Sequence, residues 1–63
     1  MTQNFKSNDD LAKERRYKIE KQGANHRAFT RIYNYPKNNP YRPESIEHTW
    51  FEIGYTAEEL ISG

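Results

Sequence analysis

The chain has 63 residues and no cysteine, which allows one small domain and excludes both a disulfide framework and a thiolate metal site. Leu, Ile and Phe together number ten and Val is absent, so any core must draw much of its apolar area from aromatic side chains. The formal net charge of +1 hides an asymmetry: ten Lys and Arg lie between Lys6 and Arg42 against four acids, and five Glu with no cation follow from Pro43 onward. No apolar run approaches the ~20 residues that cross a bilayer. The first residues lack the apolar stretch of a signal peptide, so the cytoplasm is the expected compartment and no membrane partner is expected.

Residues 1–8 are polar with a single Phe and read as a flexible arm, leaving 9–63 as one small domain. Ser7, Asn8, Asp9 and Asp10 offer caps and negative charge for the positive end of a helix. From Asp9 the chain is rich in helix formers, and Glu14 precedes Lys18 by four residues in the favourable orientation. Gly23 weakens a helix by about 1 kcal/mol relative to Ala. The apolar pattern nonetheless resumes at Ala24, Ala28 and Ile32, with Phe29 and Tyr33 beside it, and predicts a single helix over roughly 9–33, better ordered toward its C-terminal half.

Three prolines between Pro36 and Pro43 end that helix and hold Tyr35, Asn39 and Arg42 extended. The segment reads as a structured connection, with Tyr35 and Tyr41 packing down on the helices. Ser45 then caps a second helix predicted over 45–60. Ile46, Trp50, Ile53, Ala57 and Leu60 follow at spacings of four, three, four and three, which predicts a core-facing stripe. Phe51 and Tyr55 lie on a different side with Gly54 between the two faces, so this helix needs two partners. The expectation is an all-α fold: two antiparallel helices joined by a Pro/Tyr-rich loop.

Asn39-Pro40-Tyr41, followed by Phe51 and then Gly54-Tyr55, resembles the second half of the ribosome modulation factor family and its short phage and bacterial relatives. Gly23 and Ala28-Phe29 resemble the small and aromatic positions of that family's first helix. The likeness covers roughly residues 23–58. Ile32 departs from it where the family usually has Gly, as does Tyr55 where Trp is commoner. The resemblance implies a small non-enzymatic protein that binds the ribosome and holds it idle.

The residues themselves offer two surfaces. Lys13, Arg15, Arg16, Lys18, Lys21, Arg27 and Arg31, with Lys37 and Arg42 in the loop, suit neutralisation of phosphates. Tyr17, His26, Tyr33, Tyr35 and Tyr41 interleave with them and suit stacking on unpaired bases. This predicts contact with ribosomal RNA, although the same cations are equally able to pair with the acidic second helix. The alternative is a small inhibitor, phage-encoded in one reading, that grips a host protein through Phe51, Tyr55, Glu52, Glu58 and Glu59, its charge separation steering the encounter. Self-association is a third possibility. His26 and His48 lack metal-ligand spacing, Glu58 and Glu59 are adjacent and so diverge on a helix, and no phosphate loop or nucleophile constellation is present. Neither an enzyme nor a cofactor is expected.

Overall fold

The computed structural model describes residues 8–62 and contains two α-helices, α1 (Asn8–Tyr33) and α2 (Ile46–Ser62), with a loop between them. The fold is all-α. The expected arm lies outside the described residues apart from Asn8, which opens α1. No described helix is long and apolar enough to cross a membrane.

α1 runs unbroken through Gly23. Asp9 and Asp10 occupy its first turn and Arg31 its last, each matching the sign of the helix dipole at that end. Its C-terminus closes on Asn34, whose φ of 56° is left-handed, and the Tyr35 N–H donates to the Thr30 carbonyl at 3.2 Å. This Schellman closure suits Asn, which tolerates that conformation better than most residues, and Pro36 prevents any continuation.

Gly23 decides where the helices meet. A Cβ built on it would stand 2.8 Å from the Tyr55 nitrogen and closer still to the Phe51 carbonyl oxygen. One built on Gly54 would stand 2.6 Å from the Glu20 carbonyl carbon. Helix axes usually lie about 8–10 Å apart because side chains fill the space between them. At this crossing there are none, and backbone meets backbone. The glycine that weakens an isolated helix is the one that lets this pair pack.

The consequence is a core on an unexpected face. Phe51 and Tyr55 are 3% and 7% exposed and, with Ile19, make up the buried apolar side chains among the described residues. Phe51 lies against His26, with ring centroids 5.6 Å apart, and takes Tyr41 edge-on at 6.2 Å. Tyr55 lies 5.9 Å from the His26 ring, and its hydroxyl shares a hydrogen bond of 3.3 Å with that of buried Thr30. The stripe expected to face the core, Ile46, Trp50, Ile53, Ala57 and Leu60, points elsewhere: only Trp50 is half-buried and the other four are exposed. The expected face of α1 is displaced likewise, with Phe29, Ile32 and Tyr33 exposed while Ile19, Gly23 and Thr30 are buried. Burying Ile53 and Leu60 against α1 would forfeit the glycine crossing, and with it the close contact around Phe51 and Tyr55.

Asn39 ties the loop to α2. The Asn39 amide nitrogen donates to the His48 carbonyl at 3.1 Å and to Glu52 Oε2 at 2.9 Å, and its oxygen accepts from the Tyr41 N–H at 3.0 Å. The Tyr41 hydroxyl donates to Gln22 Oε1 at 2.7 Å, fixing the loop to α1. Ser45 caps α2 as expected: its Oγ accepts from the His48 N–H at 3.1 Å and donates to the Arg42 carbonyl at 2.7 Å.

Candidate nucleic-acid interface

The cations of α1 do not share a face. Lys13, Arg15, Arg16, Lys18 and Lys21 follow one another at one- to three-residue steps, and at about 100° per residue such steps wrap a helix. Lys13, Arg16, Arg27 and Arg31 fall along one flank because their separations are near whole turns, while Arg15, Lys18 and Lys21 project from other sides. Six of these seven are exposed and Arg27 is half-buried.

The acidic half of the chain meets part of this charge. Arg15 reaches across to Glu47 on α2 at 3.0 Å, Arg42 pairs with Glu44 at 2.9 Å and Lys37 pairs with Glu52. Arg16 pairs within α1 with Glu20 at 2.6 Å. These cations keep much of their surface in solvent, so each pair contributes only ~0–1 kcal/mol. Glu47 is held below the usual carboxylate range by its own backbone N–H at the start of α2 and then by Arg15. At Glu52 burial pushes the carboxyl up, and the hydrogen bonds from Lys37 and Asn39 outweigh it, leaving the group below its ordinary value.

Several residues singled out for RNA contact are engaged in the fold instead. His26 is wedged between Phe51 and Tyr55, and its Nε2 accepts the Asn38 N–H at 2.9 Å. The guanidinium of Arg27 lies 5.9 Å from the Tyr55 ring centroid, and its Nε is buried without a hydrogen-bond partner among the described residues. The ammonium of Lys37 sits over the same ring at 4.8 Å. Tyr41 is half-buried against Phe51 and so packs down as expected. Tyr35 packs on Phe29 and stays exposed.

That contact belongs to a larger aromatic group. Phe29, Tyr33 and Tyr35 cluster at the C-terminal end of α1, with Phe29 4.8 Å from Tyr33 and 5.0 Å from Tyr35 between ring centroids. All three are exposed. The i,i+4 spacing of Phe29 and Tyr33 was a visible signal for two of them. The left-handed turn at Asn34, which brings Tyr35 back onto Phe29, was not. The chain matches no family model, no curated protein and no solved structure.

The second predicted surface is corrected by burial. Phe51 and Tyr55 are core residues and form no exposed patch, and Glu52 is occupied by Lys37 and Asn39. Glu58 is half-buried and Glu59 exposed. Among the described residues no three His, Asp or Glu come together in a metal-binding arrangement.

Proposed function

We propose that this chain is a small non-enzymatic regulator that binds RNA, with ribosomal RNA as its target, and modulates translation by occupying the ribosome. The observation that carries the reading is the exposed aromatic trio Phe29, Tyr33 and Tyr35 at one end of a helix studded with exposed Lys and Arg. Three clustered rings in water offer unpaired bases a stacking surface worth about 1–3 kcal/mol per base. Lys13, Lys18, Lys21 and Arg31 are exposed to meet the adjoining phosphates. The resemblance around Pro40-Tyr41, Phe51 and Gly54-Tyr55 supports the ribosome as the place to look.

The test is an anisotropy titration of a fluorescent single-stranded RNA, alongside sedimentation with purified small ribosomal subunits. Binding is expected to weaken linearly in log affinity against log salt. Replacing Tyr33 and Tyr35 by Ala is expected to weaken it by about tenfold, within the range for loss of base stacking. Lys13→Gln with Lys18→Gln flattens the salt dependence. No signal in dilute buffer, together with protein left at the top of the gradient, would end this reading.

A further inference from the structure

A pocket lies where α1, the loop and α2 meet. Gln22, Asn25 and Phe29 line it from α1, Asn38 and Tyr41 from the loop, and Phe51 from α2. Its volume of about 660 Å³ is within the range of small-molecule sites. The walls are held in place: the Tyr41 hydroxyl donates to Gln22 Oε1 at 2.7 Å, and the Asn38 N–H donates to His26 Nε2 at 2.9 Å. A guest therefore meets a preformed shape, and little ordering of the loop has to accompany binding.

Among the described residues no Lys, Arg, Asp or Glu lines this pocket. Neutral amides are what it offers. Gln22 spends its amide oxygen on Tyr41 and keeps its NH2 group to give. The side-chain amides of Asn25 and Asn38 bond to no other described residue, so each presents a donor and an acceptor. Phe29 and Tyr41 add aromatic surface. A ligand suited to this lining is flat, uncharged and edged with hydrogen-bonding groups, which describes a nucleobase and not a phosphate. Guanine is commonly taken by Arg or Lys and cytosine by Asp or Glu, none of which is present here. Asn and Gln instead pair with the amino group and ring nitrogen of adenine. Phe29 belongs both to this pocket and to the aromatic trio, so a strand stacked on the trio has the pocket beside it. We propose that the pocket takes one unpaired adenine of a bound RNA strand, read at its edge by Asn25 and Asn38, an inference that rests on the RNA reading above. It gives the chain a base preference, of which stacking on the trio supplies little.

The isotope-labelled full chain is titrated with adenosine, uridine and glucose while its side-chain amide signals are followed by NMR. Its affinities for short oligoadenylate and oligouridylate are measured in parallel by anisotropy. Saturable shifts of the Asn25 and Asn38 amides with adenosine are expected, with little change from uridine or glucose. Oligoadenylate is expected to bind at least about fivefold tighter than oligouridylate. Asn25→Ala is expected to bring that ratio toward one while leaving oligouridylate binding unchanged. Asn25 is exposed and Ala favours a helix, so the thermal midpoint of this variant is expected to hold. RNA binding with no base preference, or a preference that Asn25→Ala leaves intact, would overturn the pocket and leave the RNA reading standing. Adenosine shifts at these amides without binding of either RNA would do the reverse. Equal shifts with glucose would also overturn the assignment, since the lining would then suit a sugar, and absence of every signal would end both readings together.

Discussion

The two apolar faces of α2 differ in what lies opposite them. The face with Phe51, Gly54 and Tyr55 is short and includes a glycine, yet it is buried. The face with Ile46, Trp50, Ile53, Ala57 and Leu60 is longer and more regular, yet it is largely exposed. Hydrophobic periodicity identifies a face that avoids water. It does not measure how closely a neighbouring helix can approach. Here approach decides, because Gly23 and Gly54 remove the side chains that would separate the backbones, and the aromatic rings then pack around that contact.

Substitutions on the two faces break or sharpen this contrast. Phe51→Ala is expected to cost ~3–5 kcal/mol, comparable to the whole stability of a domain this small, and circular dichroism should show loss of cooperative unfolding. Gly23→Ala and Gly54→Ala come next. In an exposed helix such a change gains about 1 kcal/mol, whereas here each is expected to lose about 1–3 kcal/mol through forced separation of the backbones. A raised thermal midpoint in either variant would contradict the crossing. Leu60→Ala, on the outer face, is expected to change stability by no more than ~0.5 kcal/mol.

The acid response gives a smaller effect. Glu47 and Glu52 both sit below the ordinary carboxylate value of 4.5 in the folded chain. Their contribution is therefore fully present well above that pH and is lost as the pH falls through their folded values. Comparing the thermal midpoints of the natural chain and Glu52→Gln as the pH is lowered should show the gap between them closing in acid. A gap that widens there would reverse the sign of the linkage.

Much of the architecture was legible from residue chemistry. The helix expected over 9–33 is found at Asn8–Tyr33 and that over 45–60 at Ile46–Ser62, because acids, Ser45 and the prolines mark ends by local hydrogen bonding. The loop and the packing of Tyr41 followed from the same cues. The inner faces were not legible, since they depend on a long-range contact between two glycines, one of which, Gly23, reads on its own as a weak point in its helix. Thr30 illustrates the gap: it is buried because Tyr55 lies opposite it, and nothing within its own helix indicates that. For the candidate site, the number of cations and the way their spacing wraps α1 were plain from the sequence, but their partners were not: Arg27 and Lys37 are partly engaged by Tyr55.

The inward orientation of Phe51 and Tyr55 is tested most directly by nuclear Overhauser contacts from the rings of α2. Cross-peaks linking Phe51 and Tyr55 to the Gly23 α-protons and the His26 ring, with none joining Ile53 or Leu60 to α1, are the predicted pattern. Contacts from Ile53 and Leu60 to Ile19, with Phe51 lacking any to α1, would contradict it.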